Sequence, residues 1–341
     1  MTMPEQPTPD PQPEPGARRA ALRDKHIAGE IPPDYDFEGS VPPEQVTPIV
    51  FVGGTGRSGT HVVARMLGRN VNYRTVQVEC RFHVEDRGFP GLLAGNVSKR
   101  AFLKRMRGFW WRGRQRGRVR GMHRFVPAER YEAALAAFDE RFEADREEAC
   151  RRLFLEILMP FAEDKGRRGI IEQSCDTVAQ GATLVRLFPE ARFIHVVRDG
   201  RDASASRVGQ TRISYPRTRR QGIEWWERRI RAIDAGARSI PDGALLEVSL
   251  DELLAGPKRG ALGPIARHVG VRAGRKVRRF FHGQMGADEA NTERWRRGLS
   301  ERKEQQIDRL YADALERLER DGVTCAPLLR RTYERRADER A

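Results

Sequence analysis

A short apolar run followed at once by a glycine-rich turn constrains this chain of 341 residues more than any other feature. The run Ile49–Val52 consists only of branched and aromatic residues, which is typical of a buried strand. The turn Gly53–Gly59 comes next, and apolar residues then recur at helical spacing from Val62 to Leu67. A strand, turn and helix in this order bring backbone N–H groups and the positive end of the helix dipole to the turn. The sequence therefore predicts a βα unit with an anion-binding turn.

The rest of the chain alternates short apolar runs with longer amphipathic stretches, which is typical of a parallel sheet built from βα units. Further strands are predicted at 74–78, 169–172, 192–197 and 245–248, and long helices at about 128–145, 147–162 and 218–238. Hydrophobic residues make up 39% of the chain, which is enough for a large core. We therefore predict an α/β fold, a P-loop-like domain with a central parallel sheet flanked by helices. No uncharged apolar run approaches the roughly 18–20 residues that a membrane span needs.

The glycine-rich turn matches only part of a Walker phosphate-binding loop. Gly54 and Gly59 have the required GxxxxG spacing, but Thr60 and His61 stand where lysine and a hydroxyl residue should follow. Arg57 adds a charge that can form two hydrogen bonds with a phosphate. We therefore expect a phosphate-binding turn in a protein that hydrolyses neither ATP nor GTP. A glycine-rich turn without a ligand and a nucleotide kinase are the alternatives.

A second motif, RFIHVVRDGRDASASR, begins in the strand predicted at 192–197. Arg198 directly follows this strand, at the edge of the sheet where open α/β folds bind ligands. Ser206 lies eight residues later in the next helix, so the two side chains can hold one phosphate between them. Asp199 and Arg201 are interpreted as an ion pair at the start of that helix, and His195 as a histidine of the core.

Together the two motifs resemble those of the sulfotransferase family. VGGTGRSGTHVVARML is similar to the loop that binds the 5′-phosphosulfate of the donor, 3′-phosphoadenosine 5′-phosphosulfate (PAPS), and RFIHVVRDGRDASASR is similar to its 3′-phosphate motif. The resemblance spans roughly 48–321 and implies transfer of a sulfuryl group to an acceptor hydroxyl, with adenosine 3′,5′-bisphosphate as the product. It implies no metal, and it leaves the acceptor open among sugars, lipids, peptides and small metabolites.

The same resemblance assigns residues to the two ends of the donor. It places Arg198 and Ser206 on the 3′-phosphate. On the 5′ side it places Gly56, Arg57, Ser58, Gly59, Thr60 and His61. For His61 the alternative is a residue that only begins the helix and does not contact the donor.

The step itself needs a base for the acceptor's proton and positive charge on the leaving phosphate. Arg57 is expected to stabilise the leaving group. Glu79, in a segment that resembles the glutamate segment of tyrosylprotein sulfotransferases, is the favoured base, and His83 is the alternative. A surface salt bridge is the structural alternative for both residues.

One position departs from the family pattern. Many relatives carry a lysine in an E-K-[ST]-P segment, where it helps to neutralise the bridging oxygen of the donor. Here the corresponding segment, which begins at Glu172, has Gln173 at that position. The expectation is that Arg57 carries the leaving-group charge alone or that another arginine replaces the lysine, and an inactive relative of the family is the further alternative.

The net charge of +15 first suggests a nucleic-acid partner. However, the segment 98–124 alone contains eleven basic residues and no acidic one, so the excess charge is local. Because Trp110 and Trp111 lie among these arginines, the segment is interpreted as a lid that recruits the acceptor or contacts an anionic membrane. A solvated loop and a nucleic-acid patch are the alternatives, and we expect no nucleic-acid partner.

The predicted organisation has three parts. Residues 1–46 are expected to form a disordered, proline-rich leader, residues 47–325 the catalytic domain, and residues 326–341 a charged tail. The four cysteines lie far apart without a CxxC pair, which indicates a reducing compartment. The first residues lack the features of a secretion signal, so we expect a cytoplasmic protein. The oligomeric state is left open.

Overall fold

A five-stranded parallel sheet lies at the centre of the computed structural model. The structure describes residues 47–115, 118–210, 214–256, 260–285 and 292–339. The strands are β1 (Ile49–Gly53), β2 (Tyr73–Thr75), β3 (Arg114–Gln115), β4 (Arg118–Val119), β5 (Gly169–Glu172), β6 (Arg192–Val197) and β7 (Leu245–Ser249). The order of strands in the central sheet is β2-β5-β1-β6-β7. In the register, Phe51 of β1 pairs with Glu172 on one side and Phe193 on the other. The predicted α/β fold with a central parallel sheet is thus confirmed.

Helices cover both faces of this sheet. They are α1 (Thr60–Leu67), α2 (Phe89–Leu93), α3 (Lys99–Arg105), α4 (Ala128–Arg141), α5 (Arg146–Glu163), α6 (Gly181–Leu187), α7 (Gly200–Val208), α8 (Arg219–Ala237), α9 (Leu250–Ala255), α10 (Leu262–His268), α11 (Arg275–Gln284), α12 (Glu301–Arg320) and α13 (Ala326–Asp338). A π-helical turn, Met106–Trp110, and two 3₁₀ turns, Met122–Arg124 and Arg294–Arg296, complete the described helical structure. None of the described helices combines the length and the apolarity that crossing a bilayer requires.

The central strand β1 contributes to two apolar cores. Successive side chains of a strand point to opposite faces, and all five residues of β1 are buried. Ile49 and Phe51 pack into the core with α4, α5 and α6, whereas Val50 and Val52 pack into the core with α1, α9, α10 and α11. Burial on both faces explains why β1 is apolar without interruption.

The basic segment 98–124 is largely built into the domain. It forms α3, the π-helical turn and the antiparallel β3–β4 hairpin. Trp110 is buried, and Trp111 stacks on Tyr131 of α4 with ring centroids 4.3 Å apart. The ring of Trp110 therefore belongs to the core under the segment, and the ring of Trp111 is partly buried against this core.

Acidic residues from other elements offset part of the charge of this segment. Arg105 pairs with Glu85 at 3.0 Å and Arg107 with Glu132 at 2.9 Å. Lys99 pairs with Asp139 near the end of α4 and with a second carboxylate just beyond that helix. The count of eleven basic residues without an acidic one thus overstates the local positive charge. The acidic partners lie outside the segment 98–124 in sequence but next to it in the fold.

The C-terminal residues are part of the domain. The charged tail expected at 326–341 is instead the helix α13 over Ala326–Asp338, in which Leu329, Thr332 and Arg336 are buried. The periodic apolar and small residues of α13 pack beside α12 and β7, so the segment is ordered despite its many charges. The leader predicted at 1–46 lies outside the described residues.

Arg336 is the centre of a buried ionic cluster. Its guanidinium donates to Asp199 at 3.1 Å and Asp202 at 3.0 Å, and also to Asp251. Asp199 in addition accepts hydrogen bonds from Arg201. Burial alone would raise the pKa of Asp199, but the guanidinium groups of Arg201 and Arg336 outweigh it and hold that pKa well below its ordinary value. The cluster fixes the start of α7 and the start of α9 to the C-terminal helix.

Replacing Arg336 with methionine should lower the free energy of unfolding by about 3–5 kcal/mol, because three carboxylates would stay buried without their common partner. Arg331→Met, in the same helix, is the matched control, since this side chain is 63% exposed and lies 3.9 Å from Glu252. We expect the control to change stability by about 1 kcal/mol or less. Urea denaturation of both variants measures the difference, and equal effects would contradict the role assigned to the cluster.

Candidate functional site

The glycine-rich turn between β1 and α1 has the backbone of an anion-binding loop. Gly56, Arg57 and Gly59 all have positive φ values, of 79°, 65° and 94°. A non-glycine residue in this region is uncommon, and it marks a turn whose course is set by its surroundings. Gly59 precedes α1 and offers no side chain to cap the helix. The first N–H groups of α1 therefore face the turn, as in other sites that bind phosphate or sulfate.

Close packing fixes the course of this turn. The Gly54 N–H donates to the carbonyl of Cys175 at 2.9 Å, which ties the turn to the segment after β5. A Cβ at Gly54 would lie 2.7 Å from the carbonyl oxygen of Val196 in β6, and one at Gly59 would lie 2.6 Å from Leu250. Both glycines are needed because other chain segments pass at contact distance. The turn is thus enclosed by β5, β6 and α9.

Ser58 stands out within the turn. The serine is fully buried, and its Oγ atom has no hydrogen-bond partner among the described residues. A buried hydroxyl without a partner is energetically unfavourable and needs an explanation. A bound oxyanion would satisfy this hydroxyl, so the observation supports an anion at the turn.

The structure brings the two sequence motifs into direct contact. The Arg57 Nε atom donates to Ser206 Oγ at 2.9 Å, and Arg198 Nη1 donates to the Arg57 carbonyl at 3.0 Å. Ser206 lies on α7, and Arg198 follows β6 directly. Two guanidinium groups, a hydroxyl and the start of α1 therefore converge at the carboxyl edge of the sheet. This edge is where open α/β sheets hold their ligands.

Glu79 lies beside this turn, in the loop that follows β2. Its carboxylate is 3.3 Å from His61 Nε2 and 3.3 Å from Arg81 Nε, and Cys175 Sγ lies 3.7 Å away. The Glu79 side chain is 22% exposed, so it can meet a molecule from solvent. Arg81 has a positive φ of 62°, which marks a sharp turn of the backbone next to Glu79.

The pKa values of Glu79 and His61 move in opposite directions. Burial raises the pKa of Glu79, but the hydrogen bond from His61 and the charge of Arg81 outweigh burial, and the pKa lies below its ordinary value. The hydrogen bond to Glu79 raises the pKa of His61, against the opposing effects of burial and of Arg57. Both groups thus favour their charged forms, as expected of an ion pair.

His83 lies in the core, away from the turn. Its ring is fully buried, stacks on Phe51, and its Nε2 atom is 2.9 Å from Glu172. The Glu172 carboxylate also accepts hydrogen bonds from the backbone and side chain of Ser174, and the Ser174 hydroxyl accepts one from the Arg81 N–H. His83 therefore helps to fix the loop that carries Glu79, but it presents no nitrogen to solvent.

Sequence reasoning missed the roles of Glu172 and Ser174. The available signal was a carboxylate at the end of an otherwise apolar strand, since a buried charge requires partners. His195, interpreted as a core histidine, is buried and pairs with Glu247 at 2.9 Å. Gln173 is buried, and its Nε2 atom donates to the Val76 carbonyl at 3.0 Å.

Gly59→Ala should destabilise the protein more than Gly56→Ala. Both substitutions impose about 1 kcal/mol of backbone strain on a residue with positive φ. The added methyl at Gly59 would also press against buried Leu250, which adds about 1–3 kcal/mol of overpacking, whereas a methyl at Gly56 meets only Cys175 Sγ at 3.9 Å. Urea denaturation of both variants measures the difference, and an equal loss would show that Leu250 does not restrict the turn.

The chain is similar to proteins of one known family. Residues 48–274 match the model of the sulfotransferase family. Among solved structures, a sulfotransferase domain from the olefin synthase of Synechococcus PCC 7002 is 17% identical, with a TM-score of 0.45, and the match covers 78% of this chain and 94% of that one. For a sulfotransferase of Mycobacterium avium the identity is 16%, the TM-score 0.40 and the coverage 87% and 80%. No curated protein matches the sequence. Because the family model matches about two thirds of its length, the chain belongs to the sulfotransferase family.

Proposed function

We propose that this enzyme moves the sulfuryl group of PAPS to an acceptor hydroxyl and releases adenosine 3′,5′-bisphosphate. Sulfotransferases in general use this donor and act on hydroxyl-bearing acceptors. The observation that carries the proposal is the bond between Arg57 of the turn and Ser206 of the second motif, with Arg198 on the Arg57 carbonyl. This contact places two anion-binding elements side by side, as a ligand with phosphates at two positions requires.

The 5′ end of the donor fits the turn. The buried hydroxyl of Ser58 and the uncapped start of α1 are donors that a phosphosulfate can satisfy. We assign Thr60, the first residue of α1, and the backbone of Gly56 and Gly59 to the same end of the donor. Arg57 provides a guanidinium that can follow the negative charge as it develops on the leaving phosphate.

The 3′-phosphate fits between Arg198 and Ser206. The Ser206 hydroxyl already faces a guanidinium, and Arg198 reaches across the backbone of the turn. A phosphate bound here would accept charge-assisted hydrogen bonds, which are about twice as strong as neutral ones. The ionic cluster around Asp199, the residue after Arg198, holds this corner of the site in place.

On the acceptor side, we assign the proton-accepting role to Glu79. It is partly exposed, it lies beside the turn, and its lowered pKa keeps it ionised at neutral pH. His83 cannot take this role from its buried position on Glu172. Each carboxylate oxygen has two lone pairs, so Glu79 can accept from a bound hydroxyl while it keeps His61 and Arg81.

In the resulting step, the acceptor oxygen attacks sulfur in line with the bond to the 5′-phosphate. A new S–O bond forms to the acceptor, and the bond between sulfur and the bridging oxygen breaks. The bridging oxygen keeps the electron pair and becomes part of the bisphosphate, where Arg57 stabilises its charge. The acceptor's proton passes to Glu79. Positioning and charge stabilisation therefore account for the catalysis in this proposal.

Adenosine 3′,5′-bisphosphate should stabilise the protein against heat. At a concentration one hundred times its Kd, binding adds about 2.7 kcal/mol, which corresponds to a rise in Tm of about 4 °C for a chain of this length. Arg57→Ala and Arg198→Ala should abolish most of this rise, and Ser58→Ala should reduce it, because each removes a donor to a phosphate. ATP, which lacks the 3′-phosphate, should give a smaller rise.

Ser204→Ala is the matched control for this experiment. Ser204 is a buried serine of α7 whose hydroxyl has no partner among the described residues, but it packs against Gly222 of α8 and not against the turn. This variant should respond to the bisphosphate like the original protein. An equal response to ATP, or no response to the bisphosphate, would reject PAPS as the donor.

Glu79→Gln should strongly lower turnover while the bisphosphate still binds through Arg57, Arg198 and Ser206. The amide cannot take up the acceptor's proton, and we expect a fall in kcat of about 100-fold or more. Turnover is measured as bisphosphate released from PAPS with hydroxyl-bearing acceptors of each class: sugar, lipid, peptide and small metabolite. In the original enzyme the rate should fall on acidification through the lowered pKa of Glu79, since protonated Glu79 is no base. Unchanged turnover in the variant would remove Glu79 from the mechanism.

A further inference from the structure

His61 occupies a position where a cation needs a specific partner. It is the second residue of α1, at the end of the helix where the dipole is positive and disfavours a positive side chain. The Glu79 carboxylate, 3.3 Å from Nε2, supplies the compensating negative charge. The ring is nevertheless 58% exposed, so it is not a buried structural histidine like His83. The pair holds an accessible imidazole at the rim of the turn.

The groups around this imidazole decide its protonation. Glu79 comes from the loop after β2, Gln173 from the segment after β5, and Arg57 from the turn itself. The hydrogen bond to Glu79 raises the pKa of His61 most, Gln173 adds to the rise, and burial and Arg57 oppose it. Two further groups, Arg81 and Cys175, contact Glu79 on its other sides.

Gln173 brings a neutral amide to this part of the site. Its Nε2 atom is held by the Val76 carbonyl, while its Oε1 atom is buried and has no hydrogen-bond partner among the described residues. Gln173 also acts to raise the pKa of His61, so this amide favours the charged imidazole.

We propose that His61, held by Glu79 beside the neutral Gln173, contacts the 5′-phosphosulfate end of the donor as an imidazolium and supplies positive charge to the leaving oxygen. The inference rests on the proposed function and adds a second cation next to Arg57. In the neutral ring, a proton on Nε2 for Glu79 would leave Nδ1 without one, so only the imidazolium can donate to Glu79 and to an oxyanion together. When the S–O bond breaks, the electron pair stays on the phosphate oxygen, and the Nδ1–H of His61 stabilises it without proton transfer.

A titration by nuclear magnetic resonance tests the contact without knowledge of the acceptor. The ring signals of His61, assigned by comparison with His61→Gln, should show a pKa that rises by about one unit or more when adenosine 3′,5′-bisphosphate binds, because one charge-assisted hydrogen bond forms. His268, whose Nε2 atom is held by the Phe193 carbonyl, is the internal control and should not respond. Binding with an unchanged pKa of His61 would overturn the inference, whereas failure to bind would overturn the proposed function.

A second experiment separates a catalytic charge from a structural role. His61→Gln should lower the release of bisphosphate from PAPS, with water as the acceptor, by about 100-fold. Adding Gln173→Lys to this variant should raise the rate of bisphosphate release at least about tenfold above that of His61→Gln alone. The lysine ammonium would then lie beside the position of the missing ring. Thermal midpoints of both variants show whether they are folded. Lack of rescue in a folded, bisphosphate-binding double variant would contradict the inference.

The pH dependence of the same reaction gives a third readout. Because the charged form of His61 is the active one, the rate should fall as pH rises through its raised pKa. The double variant should keep its rate to higher pH, since a lysine loses its proton at much higher pH than a histidine. A rate in the original enzyme that stays constant above neutral pH would contradict a role for the imidazolium.

Discussion

The parallel direction of the five strands is the constraint on which the site depends. Because β1 lies between β5 and β6, the segments that leave these three strands emerge at one edge of the sheet. The turn after β1, the Gln173 segment after β5 and Arg198 after β6 therefore meet without any long excursion of the chain. β2 is an outermost strand and lies beside β5, and the loop that follows β2 adds Glu79. An antiparallel pairing of any of these strands would send its residues to the opposite edge.

Buried ionic groups then hold the parts of this edge that lie outside the strands. Arg336 donates to Asp199 from a helix 137 residues further along the chain. Glu172, at the end of β5, holds the loop that carries Glu79 through His83 and Ser174. A protein in which such a whole cluster is replaced by well-packed apolar residues is often equally stable. The clusters therefore matter chiefly because they orient the chain segments that they join. In each cluster the hydrogen bonds satisfy the buried charges, and they help to set the positions of Arg198 and Glu79.

These long-range clusters also mark the limit of what the sequence could predict. The βα unit and the position of Arg198 depend on local apolar patterns and on a general rule for parallel sheets, and both could be predicted. The burial of His83 and Trp110 could not, because charged neighbours in the chain hide core residues whose partners come from α4, α5 and β5. The helix α13 was missed for the same reason, since the acidic partners of Arg336 lie far away in the chain.

Glu79 must meet two opposing demands in the proposed mechanism. Its contacts with His61 and Arg81 lower its pKa, which keeps it ionised but makes it a weaker base. In an in-line transfer the acceptor hydroxyl becomes acidic as its oxygen bonds to sulfur, so a weak base suffices at that stage. The same pair holds His61 in its charged form next to the leaving oxygen. The Glu79 carboxylate thus links proton acceptance to the stabilisation of the leaving group. A substitution of Glu79 or of His61 must therefore alter both functions.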